Sequence, residues 1–383
     1  MIFRILEDQY AEKAKAGKAA DQRFMQLALT LGRRGLGRTW PNPAVGAVIV
    51  KDGVILGRGW TQAGGRPHAE IEALARAGDA ARGATLYVTL EPCSHHGKSP
   101  PCADAVIAAG ISRVVSAIQD PNPEVAGQGH ARLRAAGIVV DVGPGAAEAA
   151  HDHAGHFRRV RDGRPHVILK LAVSSDDRIG AAGGQPVAIT GAATKARVHL
   201  LRAQCDAILV GIRTALADDP LLTCRLPGME KQSPVRVVLD RALRLRGDSR
   251  LVHSAREVPL WLMTSNLAEP AAVAKLGAAG AQVIRVPTTA AAPGLDLAAV
   301  LRALADKGIT RLMVEGGARV AASFVAADLV DEVWLLRGPA PIGEGGVDAL
   351  EGLPLAAITA SPALKFHASE TLGPDTLTIY GRA

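Results

Sequence analysis

The thirteen residues from Leu90 to Cys102, LEPCSHHGKSPPC, carry two thiols nine positions apart with two histidines and a lysine between them. Upstream, PHAE sets His68 and Glu70 two positions apart. Imidazole and thiolate suit a metal of borderline softness, and a catalytic zinc takes three protein ligands and leaves one position open to water. His68, Cys93 and Cys102 supply such a set, and Glu70 adds a carboxylate able to move protons. The surroundings agree with this. His68 and Glu70 open a helical pattern, HAEIEALARAG, and Cys102 follows Pro100-Pro101, where a helix should begin and its free N–H groups favour a thiolate. A structural zinc, closed by His95 or His96 as fourth ligand, is the alternative reading.

His-x-Glu, then Pro-Cys, then a further Cys is the order found in zinc-dependent deaminases, where the histidine and both cysteines hold the metal and the glutamate shuttles protons. Deaminases of nucleic acids and free nucleosides commonly show Pro-Cys-x-x-Cys, whereas here SHHGKSPP separates the thiols. His95 and Lys98 in that longer loop are donors suited to a phosphate, while Lys98 also reads as a solvated loop charge.

Composition narrows the substrate. The net charge is +7, but the basic residues are scattered and no basic run is interleaved with aromatics, which argues against nucleic acid and leaves a phosphorylated small molecule. The N-terminal stretch MIFRILEDQYAEKAKAGKAADQRF is charged throughout and lacks a signal-peptide core, and no apolar run approaches the roughly 18 residues of a membrane helix. We expect a cytoplasmic chain whose four cysteines are reduced. Residues 1–20 read as a frayed or disordered extension.

These side chains need a scaffold. VGAVIV and VILGRGW flank Lys51-Asp52-Gly53, a hairpin signal. TLYVTL, RVVSAI and IVVDV then alternate with helical HAEIEALARAG, CADAVIAAG and GHARLRAAG, which predicts a sheet sandwiched between helices. Aromatics are only 3%, so its core must be built from Ala, Val, Leu and Ile. Gly143 to Pro165 breaks the rhythm and is the candidate junction. A second α/β block follows, with strands HVILKLAVS, DAILVG, PVRVVLD, PLWLMT, AQVIRV, RLMVEGG, EVWLLRG and TLTIYG. Within it, Gly316-Gly317 leads from a strand into a helix, which suits either a phosphate cradle or a tight turn without ligand. Asp218-Asp219-Pro220 likewise also reads as a turn with solvated carboxylates. Gly143 to Gly145 lacks a third glycine at dinucleotide-binding spacing and reads as a loop.

PNPAVGAVIV, HAE and TLEPCSHHGKSPPCADAVIAAG resemble the deaminase half of the bifunctional riboflavin-biosynthesis deaminase/reductase family. KLAVSSDDRIG, HLLRAQCDAILVGIRTALADDPLLTCR and RLMVEGGARVAASF resemble its reductase half. The resemblance implies an N-terminal cytidine-deaminase-like α/β/α sandwich over 22–145, a linker over 146–165 and a C-terminal dihydrofolate-reductase-like α/β domain over 166–383. It implies one zinc per chain on His68, Cys93 and Cys102, Glu70 as proton carrier, and Asn42, His95 and Lys98 on a diaminopyrimidinone bearing a ribosylamino 5′-phosphate. In the second half it implies NADPH on Thr214, Asp218 and the segment Gly317, Ala318, Arg319, Val320, Ala321, Ala322 and Ser323. Lys170, Asp176, Arg202, Leu222, Arg225 and Glu315 would face the substrate, with Lys170 or Asp176 as proton donor while ribosyl is reduced to ribityl. Two positions depart from the family: Ala188 precedes Ile189-Thr190 where tryptophan is usual, and Pro186 stands where a substrate-contacting serine is usual. The expected partners are a phosphorylated pyrimidine and further copies of the chain, with neither nucleic acid nor membrane. A tRNA or nucleotide deaminase fused to an unrelated domain would need a basic groove and the short cysteine spacing. A zinc-stabilised binding protein would show no ammonia release.

Overall fold

The computed structural model describes residues 2–97, 99–182, 187–289 and 294–382, with side chains from Gly17 onward. The chain divides into two units, Met1–Asp162 and Gly163–Ala383.

The first unit runs α1 (Ile2–Gly32), β1 (Gly46–Lys51), β2 (Val54–Trp60), α2 (Ala69–Ala77), β3 (Thr85–Val88), α3 (Cys102–Ala108), β4 (Arg113–Ser116), α4 (Gln128–Ala135), β5 (Val139–Val142), α5 (Ala146–Asp152) and α6 (Ala154–Asp162). Its sheet has the order β2-β1-β3-β4-β5, antiparallel around β1 and parallel from β3 to β5. The β1–β2 turn is the predicted one: Asp52 and Gly53 both take positive φ, 51° and 78°, which matches the twist of the flanking strands. Strand alternation builds two cores. Val48, Val50, Tyr87 and Val115 pack with Phe24, Met25 and Leu29 of α1 and Ala149 of α5. Ala47, Ile49, Leu86, Val88 and Val114 face the other way, onto Ala69, Ala73, Ala103, Val106, Leu133 and Phe157. The sandwich is therefore layered as expected. Two stretches differ from expectation. The residues read as an N-terminal extension continue α1, consistent with the high helix propensity of their Ala, Lys and Glu. The stretch 146–165 is helical through Asp162, and Ala149 and Phe157 bury in the first unit's two cores.

The second unit runs β6 (His166–Val173), β7 (Arg178–Gly180), α7 (Ala192–Ala203), β8 (Ala207–Gly211), α8 (Ile212–Asp218), β9 (Val235–Leu239), α9 (Arg250–His253), β10 (Leu260–Ser265), α10 (Pro270–Ala278), β11 (Gln282–Val286), α11 (Leu297–Asp306), β12 (Arg311–Val314), α12 (Ala318–Ala326), β13 (Glu332–Arg337), β14 (Val347–Asp348), α13 (Ala356–Thr359), β15 (Leu364–Leu372) and β16 (Asp375–Arg382). Nine strands form one sheet in the order β11-β10-β9-β8-β12-β6-β13-β16-β15, parallel as far as β13 and antiparallel beyond it. β15 is an addition to the predicted strands. The parallel part brings the carboxyl ends of β6, β8 and β12 side by side, where open α/β sheets bind ligands. No helix among the described residues is long and apolar enough to cross a membrane.

Candidate functional site

In the first unit, β2 and the loop after it deliver His68 in extended conformation at the N-cap of α2, and Glu70 is buried in the first helical turn. Gly59 of β2 permits this approach, because a Cβ there would lie 2.2 Å from the Ala69 carbonyl oxygen. On the other side of β1, β3 leads through Glu91-Pro92 to Cys93, and α3 starts at Cys102 with Pro101 as its cap. His68 Nδ1 lies 3.3 Å from Cys102 Sγ and 3.7 Å from Cys93 Sγ, and the three atoms fall within 4.8 Å of one another. The Cys102 amide donates to Cys93 Sγ at 3.2 Å. His68, Cys93 and Cys102 thus converge as one imidazole and two sulfurs, a set that fits a zinc ion.

The electrostatics suit that set. Hydrogen bonding with Cys102 holds the Cys93 thiol down to about 4 against burial, helped by His68. The same bond, with burial, pushes Cys102 up, so the two sulfurs share a proton that a metal would displace. Burial pushes the Glu70 carboxyl up to about 7, where it can both accept and release a proton near neutrality.

Asn42 donates from Nδ2 to the Gly65 carbonyl at 2.8 Å, and the same nitrogen lies 3.3 Å from His68 Nε2. The residue predicted to contact the pyrimidine therefore stands against the imidazole. His95 is exposed on the loop between the thiols, and Lys98 lies outside the described residues. Arg66 was missed by sequence reasoning: its guanidinium donates to the Ser99 hydroxyl and runs along that loop. A lone arginine before a proline carries no motif that could have flagged it.

In the second unit, β12 pairs with β6 so that Val314 lies opposite Leu169, which brings the next residues, Glu315 and Lys170, together. Lys170 Nζ is 3.1 Å from Glu315 Oε1, and Arg202 at the end of α7 reaches Glu315 Oε2 at 2.8 Å. Burial opposes the charge on Glu315, but Lys170 and Arg202 overcome it and hold the carboxyl down to about 2. Burial lowers the Arg225 guanidinium and neighbouring Arg202 and Arg250 add to this, which places Arg225 in the same cationic group. Its amide donates to His199 Nδ1 at 3.2 Å, another residue without a sequence signal.

Other predicted residues lie differently. Leu222 has φ of 56° and its side chain is buried in the core, so only its backbone could meet a ligand. Asp176 accepts bonds from the Ser174 hydroxyl and the Ile342 and Gly343 amides, which hold it below the usual carboxylate range and make it a poor proton donor. Thr214 Oγ1 accepts from the Gly317 amide at 3.2 Å, so these two do come together. The segment from Gly317 to Ser323 is the cap and body of α12. Ala318, Ala321 and Ala322 are buried, Arg319 and Ser323 are exposed, and Ser323 donates to the Arg319 carbonyl. Asp218 and Ala188 are exposed, and Pro186 lies outside the described residues.

A buried glutamate beside a His/Cys/Cys set on an α/β/α sandwich defines a zinc-dependent deaminase, here followed by a separate α/β unit with its polar cluster at the strand ends. Residues 18–118 match the cytidine and deoxycytidylate deaminase zinc-binding region, and residues 165–378 match the RibD C-terminal domain. The riboflavin biosynthesis protein RibD of Aquifex aeolicus is 40% identical, over 94% of this chain and 98% of its own length. That of Escherichia coli is 41% identical, over 93% and 97%. The crystal structure of a diaminohydroxyphosphoribosylaminopyrimidine deaminase/5-amino-6-(5-phosphoribosylamino)uracil reductase from Thermotoga maritima aligns with a TM-score of 0.82 at 35% identity, covering 96% of this chain and all (100%) of that one. The chain belongs to the riboflavin biosynthesis RibD family and is a bifunctional deaminase and reductase.

Proposed function

We propose that the first unit hydrolyses the 2-amino group of 2,5-diamino-6-ribosylamino-4(3H)-pyrimidinone 5′-phosphate. The second unit then reduces the product's ribosyl group with NADPH to give 5-amino-6-ribitylaminouracil 5′-phosphate. The observation that carries the first step is the convergence of His68 Nδ1, Cys93 Sγ and Cys102 Sγ next to buried Glu70. Zinc bound there would supply the Lewis acidity that makes water a nucleophile at neutral pH. Glu70 takes a proton from the attacking water and gives it to the ring nitrogen, then takes the second proton from the hydroxyl now on the ring carbon and gives it to the amine, which departs as ammonia, a cycle suited to a carboxyl near 7. Asn42 orients the pyrimidine, and His95 and Lys98 hold the phosphate, with Arg66 alongside. The eight residues between Cys93 and Cys102, with their cationic donors, favour a phosphorylated small molecule over nucleic acid.

In the second unit, NADPH would supply a hydride to C1′ of the opened sugar. Lys170 delivers the accompanying proton, since Asp176 is locked as an acceptor. Glu315 and Arg202 orient Lys170, and Arg225 adds a positive charge for the substrate. Thr214, Asp218 and the first turn of α12 bind the cofactor, supported by the Thr214 to Gly317 hydrogen bond. We take the division between Asp162 and Gly163 as the boundary of the deaminase and reductase domains, and the four free thiols suit a cytoplasmic setting. Given the phosphorylated diaminopyrimidinone and NADPH, the protein should release one equivalent of ammonia before oxidising one equivalent of NADPH. NADPH oxidation that precedes ammonia release would overturn this order of steps.

A further inference from the structure

Glu91 is a buried carboxylate that neither reaction uses. It lies two residues before Cys93 on the connection between β3 and α3 and is only 4% exposed. Three amides from the connection after β4 and the first turn of α4 converge on it. Gly127 donates to Oε2 at 2.9 Å, Asp120 to Oε2 at 3.3 Å and His130 to Oε1 at 3.1 Å. A helix leaves its first amides without internal partners, and the Glu91 carboxyl at the start of α4 supplies acceptors for them. The same segment presses on the peptide after Glu91, because a Cβ at Gly129 would lie 2.0 Å from the Pro92 carbonyl oxygen. The far side is braced as well: Asp120 accepts from the Asn122 amide at 2.8 Å and lies 3.0 Å from His156 Nε2 on α6.

We propose that Glu91 is a positioning residue for the metal centre. By clamping residues 120–130 beneath Pro92, it fixes where Cys93 Sγ sits relative to His68 and Cys102. This rests on the reading that those three residues hold zinc. The clamp also gives α6 a role, since its His156 holds the Asp120 loop whose amide Glu91 binds.

Two substitutions perturb the clamp from opposite sides. Glu91→Gln keeps the volume but turns one acceptor into a donor that faces amide donors. Gly129→Ala keeps the Glu91 carboxylate but adds a Cβ that crowds the Pro92 carbonyl oxygen at 2.0 Å and Glu91 Oε1 at 3.1 Å, displacing the clamp from the helix side. The full-length protein would be loaded with zinc, and in parallel with cobalt(II). The readouts are zinc transfer to a chromophoric chelator, the thiolate-to-cobalt absorption bands, and NADPH oxidation with ready-made reductase substrate as a control. Both variants should shift the cobalt bands and weaken zinc retention by roughly 10- to 100-fold, the usual scale for groups that orient metal ligands, with NADPH oxidation unchanged. Wild-type bands and zinc retention in both variants would overturn the proposal even if deamination fell. If Glu91→Gln fails to fold, Gly129→Ala decides by the same readouts. A wild-type protein that takes up neither metal would refute the zinc reading itself, whereas a loaded wild type with unchanged variants refutes only the clamp.

Discussion

Replacing Glu315 by Gln should destabilise the second unit by an amount readable from its ion pairs. Lys170 and Arg202 bring the Glu315 carboxyl from 4.5 to about 2, which corresponds to about 3 kcal/mol at about 1.4 kcal/mol per tenfold change in acid constant. The side chain keeps 15% exposure, so solvent screens part of this and the expected loss is about 2 to 3 kcal/mol. For a unit of this size, that lowers its melting temperature by about 5 to 10 °C. The pH dependence has a definite sign. The folded carboxyl is more acidic than the unfolded one, so its contribution is complete above about pH 4.5 and fades as pH falls toward about 2. Calorimetry of the wild type and Glu315→Gln at pH 7 and pH 3 should show a gap at pH 7 that narrows at pH 3. The transition of the second unit is the one that NADPH raises. A gap under 1 °C at pH 7, or one that widens on acidification, would refute the claim that charge holds Lys170 and Arg202 in place.

Chelation of the metal should stop ammonia release and leave NADPH oxidation of ready-made reductase substrate intact, and zinc should restore the first activity; persistent ammonia release in a protein shown to be metal-free would contradict the donor set. Gly59→Ala should shift the first turn of α2 off β2 and lower deamination at least tenfold, roughly the effect of a displacement of about 1 Å, without changing the melting of the second unit. His95→Ala should raise KM for the phosphorylated diaminopyrimidinone roughly tenfold, in line with about 1.5 kcal/mol for a charge-assisted bond, and leave the dephosphorylated analogue unaffected; equal effects on both would remove phosphate from its role.

The metal-ligand candidates were legible in the sequence because zinc chemistry restricts residue type, and their order along the chain is set by a strand-helix alternation that the hydrophobic pattern reveals. The Asp52-Gly53 turn was legible for a similar reason, since few residue pairs accept two positive φ values. β15 was not legible: as an edge strand beyond β16 it exposes most of its side chains, so no apolar alternation marks it. The helices within 146–165 were hidden by polar and histidine-rich composition, because Ala149, Ala150 and Phe157 are the few apolar side chains that tie them to a core. Leu222 shows the limit of carrying a role by position alone, since its side chain is buried in the core at φ of 56° while only its backbone is available. Glu91, Arg66 and His199 act through backbone or loop contacts formed between segments distant in sequence, which no local motif encodes.

Two chemistries proceed at two independent sites, and Glu70→Gln tests this in one protein. The amide keeps the size of the buried side chain but cannot accept a proton, so ammonia release should fall by about 10² to 10⁴. Zinc should stay bound, because Glu70 is outside the His68, Cys93 and Cys102 set. The same folded, zinc-loaded protein, given 5-amino-6-ribosylaminouracil 5′-phosphate, should oxidise NADPH at nearly the wild-type rate. Loss of both activities in that protein would contradict two independent sites and require a single or tightly coupled one.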